Sequence, residues 1–329
     1  MSFKRSLFQR SATAAAGILL VLSAAPAGAQ SWKPEKPVEL LVSSAPGGSN
    51  DRIARVIQQI TQEGKLIPVP MSVINRPGGN QTLSRTYISQ FPGDAHYFDI
   101  GNPTLIANTI SGLQQYTDFT PIALMVNEYT SFSVRADSPV NNARDLVELI
   151  RKDPNAVAVG VSNRGGTNHL TLSLLAKAAG IDPRQLKIVV FKTNAEGLTG
   201  VMGGHIHLVA ASTGTATRAA RSGKTKIISV GSPQRMGGAM ADVPTLREQG
   251  YDVSLSNWRA IIGPKGLAPA QVAYWEQVLA GVIATDDWKA VLAKQYWDGN
   301  FLRSAEFGAY LKKEYEQTRA IMTELGLAK

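Results

Sequence analysis

The chain has 329 residues, a formal net charge of +9, 18% charged residues and no cysteine. Absence of thiols excludes disulfides, thiolate nucleophiles and cysteine metal sites in one step. The Lys and Arg residues are scattered, without a basic stripe interleaved with aromatics, which argues against a nucleic-acid surface and leaves solubility as the plain reading of the charge.

Lys4, Arg5 and Arg10 precede an apolar, small-residue run from Ala12 to Ala25, and Ala27-Gly28-Ala29 stands before Gln30. This succession predicts a cleaved secretory signal peptide over residues 1–29, its apolar run being too short and interrupted for a membrane span. Removing those three basic residues from +9 leaves +6 on the 300 residues that follow. That length exceeds the usual single domain, so two lobes are expected, and no Gly/Ser or Pro-rich linker separates them.

The first apolar run, Val38 to Val42, leads through Pro46-Gly47-Gly48-Ser49-Asn50-Asp51 into an amphipathic run, Arg52 to Gln62. It reads as strand, glycine turn, helix, with Ile53, Val56, Ile57 and Ile60 on one face. Ser49 or Asn50 is the expected helix cap. A strand over 69–74, a turn at Asn75-Arg76-Pro77-Gly78-Gly79-Asn80, a helix ending before Phe91, a strand over 97–101 and a helix from Asn102-Pro103-Thr104 to Ile110 follow. The β-rich stretch from Pro121 to Arg135 exceeds an ordinary strand and reads as a crossover into a second lobe. There the pattern predicts helices over 142–152, 168–179, 195–202 and 213–222 and strands over 156–161, 187–192, 206–211 and 226–230. The last of these strands is a candidate for crossing back. A short helix after Pro244, a strand over 255–262 and three helical segments finish the chain. In the last of these, Phe307, Tyr310, Leu311, Tyr315, Thr318, Ile321, Met322 and Leu325 share a face. Regular alternation of strand and helix predicts parallel-sheet α/β architecture.

The glycine turn has a near copy, Gly165-Gly166-Thr167-Asn168, between an apolar run and a helical one. Glycines admit positive φ and close approach of a ligand, and the first N–H groups of the following helix lack intrahelical partners, so an anion is the natural occupant. Either turn alone reads equally as a tight connection; one per lobe favours a shared anion cleft. Arg164 stands just before a helix N-terminus, where a cation opposes the dipole unless an anion lies between. The alternative is a surface arginine, solvated or paired. The Thr167 and Ser49 hydroxyls are further candidate donors.

Catalytic patterns fail. Gly160-Val161-Ser162-Asn163-Arg164 lacks the second glycine of a nucleophile elbow, and Gly223-Lys224-Thr225 has Arg218 where a phosphate loop needs glycine. His205 and His207 share a strand face without a third ligand, so neither metal nor cofactor is expected.

Taken together, Lys36-Pro37-Val38, the first glycine turn, Asn75-Arg76-Pro77-Gly78-Gly79 and Thr120-Pro121-Ile122-Ala123 resemble the solute receptors of tripartite tricarboxylate transporters, the Bug receptors. The second half continues the resemblance in order: Gly165-Gly166-Thr167-Asn168-His169-Leu170, Phe191-Lys192, Gly203-Gly204-His205, Asp242-Val243-Pro244-Thr245 with Gly250-Tyr251, and Asn257-Trp258-Arg259 before Gly263-Pro264. The resemblance implies a type II periplasmic-binding-protein fold, α/β, with two lobes joined by crossover strands and a ligand cleft between them. Residues 30–128 plus 233–329 would form lobe one and 129–232 lobe two. It implies a periplasmic, monomeric, non-enzymatic receptor that delivers a mono-, di- or tricarboxylate, aromatic ones included, to membrane permease subunits. A periplasmic enzyme acting on carboxylates is the alternative. Carried onto this sequence, the ligand-binding residues are Ala45, Pro46, Gly47, Gly48 and Ser49; Ser162, Asn163, Arg164, Gly165, Gly166 and Thr167, with His169 beside them; and Ala211, Ser212 and Thr213, which read equally as a helix cap.

Overall fold

Val38, Leu40 and Val42 pack into one apolar core and Leu41 into another on the opposite face, so β1 (Val38–Val42) is buried on both sides, as a central strand of an α/β sheet must be. The computed structural model describes residues 32–328; the signal peptide expected over 1–29 lies outside them. In α1 (Ser49–Glu63) the buried Ile53, Ile57 and Ile60 form the stripe that packs on the sheet. Its N-cap is Gly48, not Ser49 or Asn50, and no side-chain oxygen caps it. The chain continues through β2 (Met71–Asn75), α2 (Thr82–Ile88), β3 (Tyr97–Gly101) and α3 (Thr104–Ile110).

The long β-rich stretch is two strands. β4 (Phe119–Asn127) belongs to one sheet and β5 (Thr130–Arg135) to the other, with Glu128 and Tyr129 at the break. Then come α4 (Ala143–Lys152), capped by Asn142 through the Asp145 N–H, and β6 (Val159–Val161), α5 (Thr167–Ala178), β7 (Ile188–Val190), α6 (Asn194–Met202), β8 (Leu208–Ser212), α7 (Thr213–Ala220) and β9 (Thr225–Val230). The last segments are β10 (Arg259–Pro264), α8 (Pro269–Ala284), α9 (Asp286–Gln295), β11 (Asp298–Arg303) and α10 (Ser304–Glu324).

The six-stranded sheet has the order β11-β4-β10-β3-β1-β2 and the five-stranded sheet β7-β6-β8-β5-β9. β1 runs parallel to β2 and β3, and β6 parallel to β7 and β8. The all-parallel expectation needs correction, because β4, β10 and β11 pair antiparallel and so does β5 with β8 and β9. The antiparallel pairs are those that involve strands entering or leaving a sheet, which run against the βαβ units.

β9 does not cross back; it stays beside β5. No helix longer than the three-residue turn Gly238–Met240 forms between β9 and β10 among the described residues. Instead Leu246 and Val253 pack into the core of the five-stranded half, and the chain returns where Tyr129 bridges antiparallel to Ser256. There Asn257 N–H donates to the Glu128 carbonyl at 2.7 Å and Ser256 Oγ to Asn127 Oδ1 at 2.6 Å. The outgoing and returning segments are therefore zipped together at the seam. α10 closes the six-stranded half, its Phe307 set edge-on to the fully buried Trp258, with ring centroids 5.6 Å apart.

No helix among the described residues is long and apolar enough to cross a membrane.

Candidate functional site

Both glycine turns sit at the C-terminal ends of strands that run parallel to both neighbours, β1 and β6, which is where α/β sheets bind ligands. Their geometries match. Gly47 has φ +85° and Gly165 φ +75°, values that favour glycine, while Gly48 and Gly166 are extended N-caps. In each turn the first glycine donates its N–H to the side chain four residues on: Gly47 to Asp51 Oδ2 at 2.8 Å, Gly165 to His169 Nδ1 at 2.9 Å.

The two acceptors differ in charge. Burial opposes ionisation of Asp51, but Arg55, the Gly47 N–H and Asn75 outweigh it and hold the carboxyl below its ordinary range. The first helix N-terminus therefore already has an anion of its own. Burial, reinforced by the Arg164 charge, pushes His169 down to about 4, so its ring is neutral at pH 7 and the second N-terminus keeps its partial positive charge.

Between the two sheets lies a cavity of about 410 Å³. The first half contributes Asn50 from α1, Asn80 and Gln81 from the loop before α2, and Asn102 and Thr104 at the start of α3. The second half contributes Ser162 to Asn168 and Asn194. Asn257 and Arg259 come from the returning segment, and Glu314, Thr318 and Met322 from α10. This wall of amides and hydroxyls, with two guanidinium groups and one carboxyl, suits a small polar ligand.

Side chains behind the lining fix it. Gln81 Oε1 accepts from Ser43 Oγ at 3.0 Å and from Asn102 Nδ2 at 2.7 Å, and Asn80 Nδ2 donates to Asn108 Oδ1 at 2.7 Å. Asn80 and Gln81 hold φ of +51° and +68°, directly after Gly78 and Gly79, so four successive residues have positive φ. For the two non-glycines this costs on the order of 1 kcal/mol each, strain of the kind that gathers at ligand clamps. Across the cavity Asn168 accepts from Thr130 Oγ1 at 2.9 Å and donates to Asn194 Oδ1 at 3.1 Å. Arg259 donates from Nη1 to the Asn257 and Trp258 carbonyls at 2.7 and 3.0 Å and reaches Glu128 Oε2 at 3.5 Å.

Of the residues read from sequence, Ser162, Asn163, Arg164, Gly165, Gly166 and Thr167 line the cavity. Arg164 is exposed on its rim, with Nη2 3.4 Å from the Ile188 carbonyl. Ala45, Pro46, Gly47, Gly48 and Ser49 do not line it; Ala45 to Gly47 face solvent, and the first turn reaches the cavity through Asn50. His169 lies behind the lining. Ala211, Ser212 and Thr213 are also outside it, because Ser212 Oγ pairs with Thr215 Oγ1 at 3.0 Å and the buried Thr213 turns its hydroxyl to the Tyr296 carbonyl.

Sequence reasoning missed Asn80, Gln81, Asn102, Asn257, Arg259 and Glu314 as site residues. A signal existed for the last: Phe307, Leu311, Glu314, Thr318 and Ile321 fall on one helical stripe, so an acid interrupts a buried face. Among the described residues no three His, Asp or Glu side chains gather to hold a metal, and His207 Nδ1 accepts the Ala158 N–H at 3.2 Å.

Two α/β halves around a polar cavity, joined by crossing strands, define the class of periplasmic-binding-protein folds. The model of the tripartite tricarboxylate transporter family receptor matches residues 53–327, and the chain belongs to that family. It is 26% identical over 330 residues to a UPF0065 protein in the gbd 5' region of Cupriavidus necator, covering 99% of both chains. In fold it is similar to a TctC solute binding protein from Polaromonas, with a TM-score of 0.78 and 24% identity over 89% of this chain and 99% of that one. It is also similar to an R. palustris protein solved with adipate, with a TM-score of 0.75 and 23% identity over 90% of this chain and 99% of that one.

Proposed function

We propose that the protein is a periplasmic receptor that captures an organic carboxylate between its two halves and hands it to membrane permease subunits, acting as a monomer and without catalysis. The observation that carries this reading is the second glycine turn. Its helix N-terminus keeps a partial positive charge, its internal acceptor His169 is neutral, and Arg164 stands beside it at the mouth of the cavity. Adipate in a protein of the same fold supports the ligand class. Thr167, Asn163 and Ser162 add hydroxyl and amide donors, and Gln81, Asn102 and Arg259 meet the ligand from the other side.

Thermal unfolding in the presence of mono-, di- and tricarboxylates tests the reading. A bound carboxylate at about 100 times its dissociation constant should add about 2.7 kcal/mol, the ligand should be recovered unchanged, and Arg164→Ala should weaken its binding. Lack of stabilisation by every carboxylate tried refutes the receptor assignment, and turnover of the bound acid refutes the non-enzymatic part.

A further inference from the structure

An acid in the wall of a carboxylate cleft needs an explanation. Glu314 is 5% exposed yet lines the cavity. Arg259 has its own counter-charge in Glu128, whereas Glu314 has no ion-pair partner among the described residues. The Tyr310 hydroxyl and Trp258 Nε1 lie toward its carboxyl, and that indole N–H is buried without a hydrogen-bond partner. Both groups are donors, so they favour the carboxyl group as an acceptor. In the lining, the Arg259 charge is offset by Glu128 behind it, which leaves the Arg164 cation on the side of the second turn and the Glu314 anion on the α10 side. A ligand that complements both must carry both signs.

We propose that Glu314 is a specificity-determining residue and that the ligand is an amino-carboxylate, its carboxylate at the Gly165–Thr167 turn beside Arg164 and its ammonium group on the Glu314 carboxylate. This rests on the receptor reading above and narrows its ligand class. A dicarboxylate reaching Glu314 would place two acids together at a carboxyl that is only 5% exposed, which favours a proton on one of them. Burial already pushes Glu314 up to about 7 against the pull of Tyr310 and Trp258. A cationic ligand group therefore ionises it and a carboxylate protonates it.

The test is calorimetric titration of the purified protein with straight-chain dicarboxylates and with ω-amino-carboxylates of matched length, from three to six carbons, at pH 6 and pH 8. Toward Glu314 stand Tyr310 on its own helix, with Tyr129 and Asp298 beyond it; Arg259 shares the cavity wall with Glu128 behind it, and α5, packed against α10, carries His169. Because these groups titrate too, Glu314→Gln serves as the control for its own titration. The expected result is an amino-carboxylate that binds about tenfold or more tightly than its dicarboxylate mate at pH 8, with the margin shrinking at pH 6. Glu314→Gln should remove most of that margin and its pH dependence. A dicarboxylate preferred at both pH values, or a margin unchanged in Glu314→Gln, overturns the inference and leaves the carboxylate receptor standing. Binding of neither series overturns the inference, and the receptor reading is then decided by the wider screen of mono-, di- and tricarboxylates. Should the variant fold poorly, the opposite pH trends of the two series in the unmodified protein decide alone.

Discussion

Asp51 and His169 occupy the same place in two copies of one turn: each accepts the N–H of the glycine four residues before it, at 2.8 and 2.9 Å. One copy fills its helix N-terminus with a charge from the protein, and the other fills it with a neutral ring and leaves the field for a guest. The proposed placement of the ligand's carboxylate at the second turn rests on this difference, which the shared glycine pattern conceals.

Charge exchange at that position should therefore abolish the guest's advantage. His169→Asp keeps an acceptor for the Gly165 N–H and so should fold. Its carboxylate would compete with the ligand's, and carboxylate affinity should fall by about tenfold. Titration calorimetry together with the thermal midpoint separates lost binding from lost folding.

His169 also makes a signed contribution to pH stability. Its pKa is depressed from 6.5 to about 4, so the folded chain resists the proton that the unfolded chain accepts. The contribution is complete above pH 6.5 and is lost progressively as pH falls toward 4, by on the order of 3 kcal/mol at most. His169→Asn retains an acceptor without the titration. The stability difference between the two proteins, measured by urea unfolding from pH 7 to pH 4, should shift in favour of the variant as pH drops.

Arg85 and Asp99 form a fully buried ion pair, 3.3 Å apart, beneath α2. Asp99→Ala strands the guanidinium in the core and should cost about 3 to 5 kcal/mol. The double substitution Arg85→Met with Asp99→Leu should recover most of that loss, since it removes both charges. Denaturant midpoints of the three proteins check the ordering.

Gly166 has an ordinary φ of −82°, but a Cβ there falls on the side-chain amide of Asn163. Asn163 lines the cavity and its end can swing away, so Gly166→Ala should leave the thermal midpoint within a few degrees while weakening ligand binding. Gly165→Ala is different. Its φ of +75° places the cost in the backbone, about 1 kcal/mol of stability.

Much of the fold was legible because Val38 to Val42 and Tyr97 to Gly101 are apolar runs bounded by turn residues; β1 and β3 have those bounds. β11 escaped because Asp298, Gly299 and Asn300 give it no apolar alternation, and its place is set by pairing with β4. The crossover at Pro121 to Arg135 was visible as excess length, but its break at Glu128 was not, since no glycine or proline marks it. Within the site, the second turn was legible from its glycines. Asn80 and Gln81 were not, because nothing local announces that two ordinary residues take left-handed φ, and Asn257 and Arg259 join the cavity only when the chain returns from the other half.

The seam where Asn127 to Tyr129 lies against Ser256 to Arg259 has a mechanical consequence. Two adjoining segments stitched by short hydrogen bonds resist sliding past one another, so the outgoing and returning connections act as one tie between the halves. Arg259 belongs to that stitching and to the cavity wall at once. The same guanidinium that ties the returning segment to Glu128 is thus part of the surface the cavity presents.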